Sequence, residues 1–377
     1  MLVGLAGLLL LGVLGVTILG GQGRVIVHPG PPQSASSGSN PPSPCPTGAC
    51  NRFFSPTSIW NQPLAPGAPL DPNSAAVVGN LRSQEASESL GIATKDFGVP
   101  IYTVPAAQPK VRVILDQGPA QTALQAAFDS VPLPAGAQEA EGTDANLAVY
   151  QPSTDTMWEF WRLHRAPGGA WHASWGGRMY HVSSDPGYYR YVVSPQGRVL
   201  ELPSWGAPAT SFPVVAGVMT IAELRSGVIG HALALAITHT CAGTWAAPAQ
   251  RSDGDVTGST NCVPEGAHFR LDPKLDLAAL HLPHFVYMMA VAAQRYGIII
   301  NNRSDGFTFR GEDPTQFQAS HGYNPYTGPD GAPGSPGALY NDYPSEMLRR
   351  FPWSHLELLK MVLRTRPDMT RFVERPG

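Results

Sequence analysis

The ten residues from 156 to 165, TMWEFWRLHR, decide the fold class. Two short segments, PSTD (152–155) and APGG (166–169), flank them, and both consist of residues whose backbone preferences suit turns. Beyond these turns lie NLAVYQ (146–151) and AWHASWGGRMYHV (170–182), which are rich in strand-forming residues. The pattern predicts a three-stranded β-meander whose middle strand is residues 156–165.

The rest of the chain continues this pattern. Further strands are predicted at VPIYTVP, KVRVILD, SGVIGHALALAITHT, HFRLDP, IIINN and FTFRG. Helices are predicted at residues 74–91, 220–227 and 283–297, and a last one at 343–351 or 354–363. Neither a βαβ order nor a Gly-rich phosphate loop is evident. We therefore expect a mainly β protein with antiparallel sheets, a sandwich or jelly roll, and a few peripheral helices.

Composition supports a turn-rich exported protein. The chain has 377 residues, with 40 Gly and 38 Pro, and only 14% of its residues are charged, against an average of about 25%. The net charge is -3, and no basic run indicates a nucleic-acid partner.

The N-terminal fifty residues differ from the rest. Residues 1–21 carry no charged side chain, and Arg24 is the first to do so. Residues 1–22 are therefore predicted to be a signal peptide or a membrane anchor, rather than a buried helix. Residues 23–50 form a Pro/Ser/Gly-rich linker, and residues 51–377 a single β-rich domain with a C-terminal helical segment. We expect secretion, or attachment to the outer face of the membrane through residues 1–21.

Four cysteines stand at positions 45, 50, 241 and 262. In an exported chain an even number favours disulfides, and we expect Cys45–Cys50 and Cys241–Cys262. A zinc site is the weaker alternative, because the chain has no CxxC. No metal-ligand spacing such as HExxH occurs, so neither a metal nor another cofactor is predicted.

The middle strand carries one carboxylate, Glu159, among several aromatic rings. With simple hairpin turns, Glu159 would lie near Leu147 and Trp175, on the more apolar face of the meander. Burial there would raise the pKa of its carboxyl, as a general acid in sugar chemistry requires. The alternative is a core carboxylate paired with an arginine such as Arg178 or Arg251. Candidate sugar-stacking rings are Trp158, Trp161 and Trp175.

Other polar residues offer further chemistry. The loop QEAEGTDAN (138–146) precedes the meander, and Glu141 or Asp144 could supply a second carboxylate or bind calcium, or the loop could simply be solvated. A different set favours β-elimination on a uronic acid, with a base from His231 or His239 beside Arg251 or Arg270. Each histidine could equally be a hydrogen-bonded strand or loop residue. In the hairpin NNRSDGFTFRG, Asn301, Asp305 and Arg310 could reach a ligand. No GxSxG motif indicates a serine hydrolase.

Three segments together resemble a family of exported, β-rich bacterial proteins that is frequent in actinobacteria: SGVIGHALALAITHT, PEGAHFRLDP and QRYGIIINNRSDG. Members typically have a His-Ala-Leu strand, a Gly-Ala-x-Arg-Leu strand and a helix ending in Tyr-Gly. The resemblance spans about residues 52–315 and carries no firmly assigned activity. It implies functional roles for a set of polar residues, Glu141, Asp144, Glu159, His231, Arg251, Arg270 and Asp305. The family more often has Asp-Asn-Gly where this chain has NNRSDG.

These features favour a carbohydrate-active protein that cleaves a cell-wall or extracellular polysaccharide or oligosaccharide by hydrolysis. Glu159 would act as the general acid, and Glu141 or Asp144 as the base or nucleophile. The alternatives are a polysaccharide lyase that uses His, Arg and Tyr, and a non-catalytic carbohydrate-binding or surface structural protein.

Overall fold

A computed structural model describes residues 53–117 and 121–365. The predicted leader, the linker, Cys45 and Cys50 lie outside these ranges. The described α-helices are α1 (Ser74–Ser87), α2 (Thr122–Phe128), α3 (Ile221–Ser226), α4 (His284–Arg295), α5 (Thr315–His321) and α6 (Pro344–Arg349). Within the described ranges, no helix combines the length and the apolar character that crossing a membrane requires.

Strands outnumber helices in the described residues. The first ten are β1 (Leu90–Ala93), β2 (Ile101–Thr103), β3 (Val113–Leu115), β4 (Leu147–Gln151), β5 (Thr156–Trp161), β6 (His164–Arg165), β7 (Trp171–Ala173), β8 (Trp175–Tyr180), β9 (Val192–Val193) and β10 (Val199–Glu201). The remaining strands are β11 (Leu233–Ile237), β12 (Thr244–Ala246), β13 (His268–Leu271), β14 (Ile298–Arg303), β15 (Phe307–Arg310), β16 (Leu356–Leu358) and β17 (Leu363–Thr365). The prediction of a β-rich fold with few helices is confirmed.

The strands form several separate sheets. The largest has the order β1-β15-β11-β14-β13-β16, a second has the order β2-β4-β5-β8, and a third has the order β3-β7-β6. Purely antiparallel sheets were predicted, and this was wrong in four places, because β1–β15, β11–β14, β2–β4 and β3–β7 are parallel pairs. Two hydrophobic cores result, one around the four-stranded sheet and one between the six-stranded sheet and its helices.

The predicted meander is present, with β5 between β4 and β8, but its register differs. Glu159 lies opposite Ala148 and Gly177, not opposite Leu147 and Trp175. On the β8 side the partner of Glu159 is Gly177, two residues from the expected Trp175. The turn of residues 166–170 is one residue longer than assumed, which accounts for one of these two residues. A two-residue shift preserves the faces of a strand. Trp175 therefore still shares the face of Glu159, now directly opposite Trp161.

Two other local predictions had mixed outcomes. The last helix forms at α6, whereas residues 354–363 contribute β16, because Leu356 and Leu358 are buried while Glu357 faces Arg270. The Cys241–Cys262 disulfide is confirmed, with an S–S distance of 2.02 Å, and it closes a polar loop across 21 residues.

Candidate functional site

A cleft of about 380 Å³ opens where β5 ends and β8 begins. Loops around residues 207–209 and 251–253 form one wall, and the last residues of β14 and β15 reach into it. The lining residues are mostly polar: Gln117, Asp144, Asn146, Trp161, Trp175, Ala207, Pro208, Ala209, Arg251, Asp253, Asn302 and Arg310. The cleft thus combines two indole rings, two carboxylates, two guanidinium groups and three amides.

The two tryptophans are fixed in place. Trp161 and Trp175 are direct cross-strand neighbours, and both are partly exposed. The Trp161 indole N–H donates to Oδ1 of Asp144 over 2.9 Å, and the Trp175 indole N–H donates to the Ser204 carbonyl over 3.3 Å. The Arg162 guanidinium lies over one face of Trp161, 4.4 Å from the ring centroid, so a ligand could stack only on the other face of this ring.

Arg251 organises the opposite wall. Its Nε donates to the Ser211 hydroxyl over 2.7 Å, and its terminal nitrogen donates to the carbonyls of Gly206 and Pro208 at 2.9 and 3.1 Å. The guanidinium lies 5.9 Å from the Trp175 ring centroid. It therefore ties the 206–211 loop to the tryptophan pair while adding positive charge to the cleft.

A buried carboxyl group, that of Glu265, lies beside Asp253 of the cleft. Glu265 is completely buried; its Oε1 accepts a hydrogen bond from the Thr240 hydroxyl at 3.3 Å, while Oε2 has no hydrogen-bond partner among the described residues. Burial, followed by the adjacent Asp253 carboxyl, raises the pKa of Glu265 well above its ordinary value. A buried carboxyl that favours its protonated form therefore lies beside the exposed Asp253.

Glu159 lies beneath the cleft rather than in it. Its side chain is completely buried and accepts hydrogen bonds from the backbone N–H groups of Ala207 at 2.6 Å and Val214 at 2.8 Å. Burial raises the pKa of Glu159 to about 7, although the two N–H donors and the charge of Arg251 oppose this shift. The carboxylate thus anchors the loop that forms one wall of the cleft.

A glycine opposite Glu159 makes this arrangement possible. Gly177 faces Glu159 across the β5–β8 pair, and the Tyr189 phenol packs against it so closely that a Cβ there would lie 2.4 Å from the hydroxyl oxygen. Any larger residue at 177 would displace the tyrosine. The glycine therefore leaves room for the ring that covers the buried carboxylate.

The remaining candidates from the sequence lie elsewhere. Glu141 is exposed and pairs with Lys95 at 3.1 Å. The buried Trp158 donates its indole N–H to the Ala127 carbonyl. Arg270 is held by Glu357 at 2.9 Å and by backbone carbonyls, and Asp305 is exposed in the β14–β15 turn.

His231 forms a buried pair of its own. Its Nε2 lies 3.1 Å from the Glu223 carboxylate, and neither residue lines the cleft. Burial opposes both charges, but the mutual attraction and hydrogen bond outweigh it, lowering the pKa of Glu223 and raising that of His231. Since β11 spans only Leu233–Ile237, His231 and His239 lie outside it and do not share a strand face.

The cleft therefore unites four predicted residues, Asp144, Trp161, Trp175 and Arg251, with others that the sequence indicated weakly. The sequence predicts that Arg310, at the end of its hairpin, could reach a ligand, and Arg310 lines the cleft. Asp253 is two residues after Arg251, a spacing that places both on one side of an extended segment. Asn146 and Asn302 gave no separate signal. Comparison with protein families, with curated proteins and with solved structures found no match.

Proposed function

We propose that the protein is a secreted or outer-surface carbohydrate-active protein. A polysaccharide segment would occupy the cleft beside Trp161 and Trp175 and be cleaved there by hydrolysis. The observation that carries the proposal is one cleft holding two rigid indole faces beside the carboxylates of Asp144 and Asp253. Apolar surfaces with a few convergent polar groups are typical of small-ligand sites. The finer description of the fold as a sandwich or jelly roll remains part of this proposal.

Glycoside hydrolysis needs one carboxyl that donates a proton and one that acts as base or nucleophile. We assign the acid role to the Asp253–Glu265 carboxyl pair, in which the protonated Glu265 would pass its proton through Asp253 to the leaving group. Asp144, which accepts the Trp161 N–H and lies in the field of Arg310, takes the other role. Glu159, first considered as the acid, becomes a residue that holds the 207–214 loop in position.

The elimination alternative finds less support in this cleft. It requires a His or Tyr base, and neither type occurs among the described residues that line the cleft. His231, the base first considered, is engaged with Glu223. A binding protein without catalysis remains the second candidate, because the tryptophan pair and the amides alone suffice to hold a sugar.

The test is a screen of the purified protein against cell-wall and plant polysaccharides, with reducing-end release and absorbance at 235 nm as readouts. Asp144→Asn and Asp253→Asn should each lower the hydrolytic rate by about 100-fold or more. Asp305→Asn is the matched control, since this carboxylate is exposed and outside the cleft. Absorbance at 235 nm would instead support the lyase, and binding without product the non-catalytic protein.

A further inference from the structure

Three potential metal ligands meet on the small sheet β3-β7-β6, apart from the residues lining the cleft. His164 and His172 are directly opposite each other in the β6–β7 pair. Asp116 follows β3, whose Ile114 pairs with His172. Because residues i and i+2 of a strand lie on one face, Asp116 is on the same face as both histidines.

The side chains are close enough to share one ion. One nitrogen or carboxylate oxygen from each of the three residues lies within 4.8 Å of the others. Nδ1 of His172 is 2.9 Å from Oδ1 of Asp116, and the two imidazole centroids are 5.6 Å apart. Asp116 and His164 are exposed and His172 is partly exposed, so an ion has direct access from solvent.

A backbone contact orients the most exposed ligand. Nδ1 of His164 lies 3.0 Å from the Arg162 carbonyl oxygen. An imidazole that donates its Nδ1 proton to a carbonyl presents the Nε2 lone pair outward, the arrangement found around metal-bound histidines. Arg162 itself has a positive φ of 54°, which turns the chain out of β5 and into this hairpin.

We propose that Asp116, His164 and His172 form a binding site for a divalent transition metal ion of the zinc type. Two imidazoles and one carboxylate are a donor set of intermediate softness, which suits Zn²⁺ and its neighbours rather than Ca²⁺ or Mg²⁺. Three protein ligands leave a fourth tetrahedral position for water or another small donor. No metal was predicted because the sequence lacks short ligand spacings such as CxxC and HExxH. These three ligands instead lie on separate segments of the chain, which the β3-β7-β6 sheet brings together.

Metal binding at this site would also stabilise strands next to the cleft. The β6–β7 hairpin leaves the meander after Trp161 and returns at Trp175, and Gln117, which lines the cleft, directly follows Asp116. A metal ion would join the three strands that carry these residues. Bound Zn²⁺ is therefore expected to raise the melting temperature as well as to fill the site.

The test is titration of the metal-free full-length protein with Zn²⁺ by calorimetry, with Ca²⁺ and Mg²⁺ titrations alongside. One equivalent of Zn²⁺ should bind, and His164→Ala or His172→Ala should weaken binding at least about tenfold. His239→Ala is the matched control: His239 also pairs with an aspartate, Asp255, at 2.8 Å, but no second histidine of the described residues joins this pair. Its affinity should equal that of the wild type.

Circular dichroism of the metal-free variants checks that each one folds, and Co²⁺ offers an independent readout through the visible bands of a tetrahedral site. Should a substitution unfold the protein, His164→Gln, at an exposed position, replaces it. The proposal is overturned if the folded wild type binds no equivalent of Zn²⁺. Equal affinity of the wild type and both histidine variants would overturn it as well.

Discussion

Glu159→Gln tests the buried carboxylate that supports the wall of the cleft. In the folded protein its pKa is about 7, against 4.5 for an ordinary glutamate, because the side chain is completely buried. A carboxyl whose pKa is raised on folding favours the folded state below its unfolded pKa. This stabilisation of the folded state is lost as the pH rises through the pKa that the carboxyl has in the folded protein.

The size of the effect follows from the two pKa values. Ionising Glu159 should lower the free energy of unfolding of the wild type by about 3.5 kcal/mol in total, since each pKa unit corresponds to about 1.4 kcal/mol. Roughly 2.5 kcal/mol of this loss falls between pH 5 and pH 9. Glutamine keeps the shape of the side chain and does not titrate, so the variant lacks this component.

Urea unfolding of both proteins near pH 5 and near pH 9 measures the difference. The stability of Glu159→Gln relative to the wild type should increase by about 2.5 kcal/mol at the higher pH, whatever constant cost the amide adds. Other buried acids titrate equally in both proteins and cancel. A relative stability that is constant with pH, or that falls, would refute the reasoning.

Three further variants test other contacts that stabilise the folded protein. Replacing Cys241 and Cys262 by serine should lower the free energy of unfolding by about 3 kcal/mol, measured by denaturant titration, because the unfolded loop is no longer closed. Glu223→Gln should cost about 3 kcal/mol, because it removes the charged partner that keeps the buried His231 protonated. In urea titrations across pH, that cost should shrink below the lowered pKa of Glu223 and above the raised pKa of His231. Gly177→Ala should destabilise by about 2 kcal/mol or more in thermal melts, since its methyl would overlap a phenol ring.

The parts of the fold that depend on local sequence were predictable. The meander around β5 follows from two turn segments and the strands between them, and α4 follows from an apolar run between Pro283 and Gly297. The parallel pairs were not predictable, because their strands lie more than 40 residues apart in the chain, and β1 and β15 more than 200 apart. Neighbouring sequence does not encode pairing over such a distance.

The difference between local and long-range contacts also explains which residues of the site could be predicted. Asp144 and the two tryptophans were identified because they lie in one continuous stretch, the acidic loop and the meander that follows it. The environment of Glu159 was not predictable from the sequence. Its partners are the backbone N–H groups of Ala207 and Val214, and every residue except proline has such a group. The His164–His172 pair escaped detection because it depends on a cross-strand register that the sequence only approximates.

The most direct test of the central proposal is the affinity of the Trp161→Ala and Trp175→Ala variants for the polysaccharide that the screen identifies. Affinity electrophoresis or calorimetry should show binding at least about tenfold weaker in each, because each substitution removes one indole face from the cleft. Tyr343→Ala, which removes an exposed ring outside the cleft, should bind as the wild type does. Wild-type affinity in both tryptophan variants would contradict the assignment of the cleft as the carbohydrate site.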